Sequence, residues 1–237
     1  MNKIVAVIAA HPDDEVLGCG GTIARFAREG CSVHVLQMAD GESSRSTEEA
    51  GYVHQKRIDV RSTAAMRAAK ILGCKSVEQL AFPDNRMDSL TLLDIVKPIE
   101  EFINKYRPTT VFTHHAGDVN VDHRMVHDAV IAACRPQPKF PVRELLFFEV
   151  PSSTEWRPPS SSIMFNPNYF VDISQTFDVK LQALLAYEDE LRPFPYPRSL
   201  KAIEALSLWR GASAGVQAAE AFILGRKLVG VNNENQE

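Results

Sequence analysis

The block Ala9-Ala10-His11-Pro12-Asp13-Asp14-Glu15 places an imidazole and three carboxylates on consecutive or near-consecutive positions. Like charges held that close repel and push one another's pKa upward, and a divalent cation relieves the repulsion. Acids also suit the first turn of a helix, where the N-terminal dipole favours them. Capping accounts for one or two of these acids, but not for His11 and Pro12 fixing the turn ahead of them, so metal binding is the stronger reading. Zinc takes nitrogen and oxygen ligands in a tetrahedral set, and a catalytic zinc keeps three protein ligands plus water. His11 and Asp14, three apart across a tight turn, supply two. The third is expected from the end of another strand. The densest remaining cluster of ligand-type residues is His114-His115-Ala116-Gly117-Asp118-Val119-Asn120-Val121-Asp122-His123, in which His123 opens a helix and can point back to a sheet edge.

The elements that must position these clusters alternate. Lys3–Ala9 is a continuous aliphatic run, as expected of a strand buried on both faces, and Val16–Glu29 is a helix stopped by Gly30. Ser32–Ala39, Val77–Phe82, Thr109–Thr113 and Leu145–Val150 read as further strands. The polar stretch Asp40–Lys56 leads into a helix that ends near Gly73; Leu90–Tyr106, with Pro98 inside it, and Asp122–Cys134 are two more helices. This alternation predicts an α/β fold, a Rossmann-like three-layer sandwich with a mostly parallel sheet and a decorated C-terminal third. Ligands of such sheets bind outside the carboxyl ends of the strands, where both clusters fall. After Val150 the Pro- and Ser-rich stretch Pro151–Asn168 reads as an ordered surface excursion or a small hairpin region. Helices are expected at Gln175–Leu191, Ser199–Trp209 and Val216–Leu228, with Asn232–Glu237 as a frayed tail. Residues 1–237 are taken as one domain. Gly18-Cys19-Gly20-Gly21 is no dinucleotide fingerprint, because Ile23 stands where the third glycine belongs; close helix packing is the better reason for these glycines.

Composition narrows the function classes. With 26 basic and 30 acidic side chains the net charge is −4, which argues against a sequence-independent grip on nucleic acid. No apolar run approaches the ~20 residues of a membrane span. Asp13, Asp14 and Glu15 follow Ile4–Ala10 at once, unlike a signal peptide, so a cytoplasmic location is expected. The four cysteines (Cys19, Cys31, Cys74, Cys134) form no C-x-x-C pair. That excludes a thiolate zinc site and the P-C-x-x-C of nucleobase deaminases, and points to free thiols.

The A-H-P-D-D-E block after the first strand and the D-H pair after the fourth together resemble the PIG-L/LmbE family of metal-dependent N-deacetylases, which remove acetyl groups from N-acetylglucosaminyl compounds. Arg61–Gly73 (R-x11-G), Phe82–Asp84 (F-P-D), Ala219–Phe222 (A-E-A-F) and Pro197–Ser199 (P-R-S) also resemble family features. The resemblance implies zinc ligands at His11, Asp14 and His123 and a general base at Asp13; Glu15, Arg61 and Asp84 are expected to contact substrate, Asp84 from its place after the third strand, with a turn role as its alternative. Iron(II) suits a His₂Asp site as well as zinc does. The resemblance further implies a small acetylated amino sugar or conjugate as substrate and a homo-oligomeric assembly. Two positions depart from the family: Asn120 stands where many members carry an oxyanion-stabilising histidine, and Ala64 where a glutamate is common. An asparagine amide donates a hydrogen bond but delivers no proton at neutral pH, so Asn120 is assigned to the oxyanion and any acid role shifts to His114, His115 or a loop residue.

The remaining candidates weigh towards structure. His34 lies among apolar strand neighbours and reads as a core residue; Tyr52 and His54 are lid candidates only. Asp118 reads as a partner that orients a ligand imidazole. Trp156 and Trp209 are expected to pack. The alternative to an enzyme is a non-catalytic Rossmann-like module binding a nucleotide or sugar, which needs no metal.

Overall fold

The structure, a computed structural model, describes residues 3–44, 51–159 and 163–230. In chain order the elements are β1 (Ile4–Ala9), α1 (Asp14–Arg28), β2 (Ser32–Ala39), α2 (Gly51–Leu72), β3 (Ser76–Phe82), α3 (Leu92–Tyr106), β4 (Thr110–His114), α4 (Val121–Ala133), β5 (Glu144–Phe148), β6 (Tyr169–Asp172), α5 (Phe177–Leu184), α6 (Leu200–Ala214) and β7 (Ala219–Lys227). One sheet runs in the order β3-β2-β1-β4-β5-β7-β6. Strands β1 to β5 pair in parallel, and β7 runs antiparallel between β5 and β6. Alternate residues of β1 enter two separate cores. Val5 and Val7 pack with α1, α2 and α5, while Ala6 and Ile8 pack with α3 and α4. That two-sided burial is why β1 is a continuous apolar run rather than an alternating one.

The order of strands creates the site. From β1 the chain crosses to β2 on one side and returns through β4 on the other, so a crevice opens between the carboxyl ends of β1 and β4. His11 follows β1 by two residues, and His114 ends β4.

Helix α1 is broken at Cys19 (φ −150°, ψ 24°). The freed groups are met by residues from far along the chain. Glu220 of β7 accepts from the backbone N–H of Gly21 (3.0 Å) and Thr22 (2.7 Å). Lys180 of α5 donates to the carbonyl of Leu17 (2.9 Å) and to Glu220 Oε1 (2.6 Å). A Cβ on Gly18 would lie 2.4 Å from the Phe148 ring, and one on Gly21 2.8 Å from Ile173, so these glycines serve close packing as their sequence suggests.

The structure departs from three expectations and adds one strand. The segment expected as a helix over Val216–Leu228 is β7, because pairing with β5 and β6 outweighs its helix-favouring Ala, Glu and Leu. Strand β6 at the sheet edge was not foreseen at the end of the Pro- and Ser-rich tract. The helix expected over Gln175–Leu191 ends at Leu184 and passes into a 3-10 turn, Leu185–Glu190, where Tyr187 leaves helical geometry (φ −104°, ψ 40°). Trp156 and Trp209, expected to pack, are 51% and 66% exposed. Helix α2 also begins at Gly51, inside the stretch read as polar loop. His34 behaves as read, with Nδ1 2.8 Å from Ser76 Oγ and its ring stacked on Tyr106 at 3.9 Å. All four cysteines are free. The tail Asn232–Glu237 and the side chains of Tyr52 and His54 lie outside the described residues. Among those described, no helix is long and apolar enough to cross a membrane.

Candidate metal centre and its surroundings

The turn after β1 is held in an unusual conformation. Asp13 has φ 110°, a region that costs a non-glycine residue about 1–3 kcal/mol and persists only where the surroundings enforce it. Glu15 enforces it from one side: its Oε2 accepts from the Asp13 N–H (3.1 Å), while the Tyr187 hydroxyl donates to its Oε1 (2.7 Å). Burial raises the Glu15 carboxyl to about 7. Arg61 enforces it from the other, donating to the carbonyl of Pro12 (2.9 Å).

Around this turn three side chains converge. His11 Nδ1 and His123 Nε2 each lie 3.2 Å from Asp14 Oδ2. The far nitrogen of each ring faces other carboxylates: His11 Nε2 is 3.0 Å from both Asp84 Oδ1 and Asp122 Oδ2, and His123 Nδ1 is 3.1 Å from Asp118 Oδ2. Those acceptors place the ring N–H groups outward and aim both remaining lone pairs at Asp14. Asp14 Oδ1 and His123 Nε2 are buried without a hydrogen-bond partner. Ligand atoms of His11, Asp14 and His123 lie within 4.8 Å of one another. Asp14 Oδ2 also accepts from the His11 backbone N–H (2.9 Å), which leaves Oδ1 and the two ring nitrogens as a three-ligand set of the kind that could hold a divalent cation. The electrostatics agree. Burial presses the His123 imidazole down, but Asp14 and Asp118 outweigh it and lift the ring to about 9, so the pocket draws positive charge. A second cluster, His11, Asp84 and Asp122, is a hydrogen-bond network instead. Asp122 accepts from the backbone N–H of Asn85 (2.6 Å) and Met87 (3.0 Å), and Asp84 accepts from Ser44.

Supporting residues fix the ligands. Asp118 is gripped by the Ser153 hydroxyl, by Thr154 Oγ1 (2.8 Å) and by the Asn120 N–H (2.8 Å), so its carboxylate holds the His123 ring in place. His114 stacks on His123 at 4.0 Å and is fully buried; its Nε2 accepts from the Ala10 N–H (2.8 Å). Burial drives its pKa well down. It is a wall of the site, closed off from any substrate. His115 Nε2 pairs with the carbonyl of Ile163 at 2.8 Å.

Asp13 sits between two guanidinium groups, with Oδ2 at 2.9 Å from Arg198 Nη1 and 3.4 Å from Arg61 Nη2. Burial raises its pKa, against the pull of both arginines. The expected site residues divide accordingly. His11, Asp14, His123 and Asp13 come together. Asp84 joins them through His11. Glu15 and Arg61, read as substrate contacts, are turned inward: both Glu15 oxygens are taken, and Arg61 is 6% exposed among Pro12, Asp13, Glu42 and Glu190. Asn120, read as an oxyanion donor, caps α4 through Oδ1, which accepts from Asp122 N (2.8 Å) and His123 N (3.4 Å). Its Nδ2 donates to Asn85 Oδ1 (3.0 Å). Sequence reasoning missed Arg198, Ser153, Thr154, Asp122 and Tyr187; for Arg198 the only signal was its place in the P-R-S motif.

Residues 6–134 match the PIG-L family, described as GlcNAc-PI de-N-acetylase. The chain is 33% identical over 188 residues to the uncharacterized deacetylase YaiS of Escherichia coli, covering 77% of this chain and 89% of that one. It is 29% identical to the diacetylchitobiose deacetylase of Thermococcus kodakarensis, over 93% of this chain and 82% of the relative. It is also 30% identical to the 4-oxalmesaconate hydratase of Pseudomonas putida, over 77% and 72% respectively. Among solved structures, a conserved protein of Thermus thermophilus superposes with a TM-score of 0.74 at 27% identity, covering the whole of both chains.

Proposed function

The chain belongs to the PIG-L family of de-N-acetylases, and on that premise we propose that it hydrolyses the N-acetyl amide of an amino sugar or its conjugate. The observation that carries the reading is the convergence of the His11, Asp14 and His123 lone pairs beside the carboxylate of Asp13. Those three residues would hold a divalent cation, zinc or iron(II), which when bound polarises the amide carbonyl and lowers the pKa of water. Asp13 adjoins a ligand in sequence but keeps Oδ1 unpartnered, so it is the base that takes the proton of the attacking water. The same carboxyl then returns that proton to the departing nitrogen. Asp84 and Asp122 fix the ring of His11, and Asp118 fixes that of His123. Asn120 starts α4 and thereby sets where His123 enters the site. Glu15 and Arg61 hold the strained turn.

Metal analysis of the purified protein and a panel of N-acetyl-hexosamines, their glycosides and nucleotide-sugars test the proposal. About one divalent ion per chain is expected, with acetate and free amine released together, stopped by chelation and restored by metal. Asp13→Asn is expected to keep the ion and lose most turnover; a fully active variant removes Asp13 from the mechanism. The hydratase relative favours a second reading on the same centre. A chain that leaves every N-acetyl sugar intact but hydrates 4-oxalmesaconate follows that relative instead.

A further inference from the structure

The geometry points to Arg198 as a catalytic residue that donates to the oxyanion, in the role that Asn120 leaves unfilled. This rests on the deacetylase reading above. Four groups stand near enough to be considered. Asn120 commits its amide to the α4 cap and to Asn85. His114 is 0% exposed behind His123. Arg61 spreads its terminal nitrogens over Pro12, Asp13, Glu42 and Glu190. Arg198 differs from all three. Its Nε is anchored from behind by Ser152 Oγ (2.7 Å) and the carbonyl of Pro151 (3.3 Å), and its Nη1 meets Asp13 Oδ2 at 2.9 Å. Among the described residues its Nη2 donates to none, and its side chain is 18% exposed where that of Arg61 is 6%. The guanidinium is therefore preorganised, with one arm on the base and the other open.

That placement fits the bond changes. Water attacks the carbonyl carbon, a C–O bond forms, the π pair moves onto the carbonyl oxygen, and Asp13 takes the water proton. Water activated by Asp13 must lie within hydrogen-bond reach of it, about 2.6–3.2 Å. The carbonyl beside that water then falls within the span of the same guanidinium fork. An N–H of Arg198 meets the developing negative charge in a site already shielded from solvent, where such a donor stabilises the transition state more than the ground state. On collapse the C–N bond breaks, the pair leaves on nitrogen, and the proton passes from Asp13 to the amine, giving acetate and free amine.

The test compares wild type with Arg198→Met and Arg198→Lys, metal-loaded, on the best N-acetyl substrate and on a sugar bearing a methylphosphonamidate in place of the acetamide, a stable tetrahedral anion. Arg198→Met is expected to keep its metal content and its KM within about threefold while kcat falls about 10²–10³-fold. Affinity for the phosphonamidate should fall by the same factor as kcat/KM, and Arg198→Lys should recover part of both. Equal losses of substrate and analogue affinity place Arg198 in ground-state binding and overturn the assignment, as does an unchanged kcat. If Arg198→Met fails to fold, the Lys variant decides: full activity and full analogue affinity in it overturn the planar-fork argument. Wild type that releases no acetate and does not bind the phosphonamidate refutes the deacetylase reading, and the inference with it.

Discussion

Replacing Lys180 with methionine isolates the network that holds the break in α1. The ammonium is enclosed, with side-chain exposure of 4% for Lys180 and 4% for Glu220, and its two partners are the Leu17 carbonyl and Glu220. Removing one member of a buried ion pair costs about 3–5 kcal/mol, because the survivor keeps its charge without compensation. Here Glu220 retains the N–H groups of Gly21 and Thr22, which moderates the loss towards the lower end. The Leu17 carbonyl loses its side-chain donor, which adds about 1 kcal/mol. The expected destabilisation is thus about 3–4 kcal/mol, or roughly 6–16 °C in Tm for a chain of this size. Urea unfolding followed by circular dichroism gives the free energy, and an unchanged m-value confirms that the unfolded state is the same. The double variant Lys180→Met/Glu220→Gln also strands one of the N–H groups of Gly21 and Thr22, so its loss should exceed that of Lys180→Met but fall short of the sum of the two single losses. A loss below about 1 kcal/mol in the Lys180 variant, or losses at Lys180 and Glu220 that simply add, would refute the assignment of this pair as a structural brace.

Asp118→Asn should weaken metal binding about 10–100-fold by loosening the His123 ring, read by competition with a chromogenic chelator; unaltered affinity would contradict the role of Asp118 in holding that ring. Glu144, bridging Lys227 (3.1 Å) and Lys3 (3.5 Å), carries a testable pH dependence. Burial pushes its carboxyl up, but the bond from Lys227 and the charge of Lys3 outweigh that and lower it below 4.5. A depressed folded-state pKa contributes stability above the unfolded value and loses it as pH falls through the folded one. Glu144→Gln should therefore show a shallower fall of Tm below about pH 4.5 than wild type, and parallel curves would contradict it.

The parts of this fold that could be read from the chain are those in which local pattern and tertiary environment agree. Lys3–Ala9 and Ser32–Ala39 are buried on both faces, so their aliphatic runs announce parallel strands directly. His11, Asp13 and Asp14 sit on one turn and were legible together, because their chemistry is concentrated in five residues. β7 was illegible for the opposite reason: Ala219–Lys227 has helical composition, and only its two strand neighbours make it extended. The site failed to show itself wherever a side chain arrives from far away. Nothing near Arg198 or Tyr187 in sequence betrays Asp13 or Glu15. Conversely, the inward orientation of Glu15 and Arg61 depends on partners, Tyr187 and Glu190, that no local motif could supply.

The turn after β1 is synthesised well before the groups that hold it. Tyr187, which holds Glu15 from 172 residues away, and Arg198, 185 residues from Asp13, emerge about 10–40 s later at ordinary translation speeds. A nascent chain therefore carries this turn unbraced until they arrive, and premature termination anywhere before Tyr187 leaves a ribosomal product that holds His11, Asp13 and Asp14 without the frame that aims them.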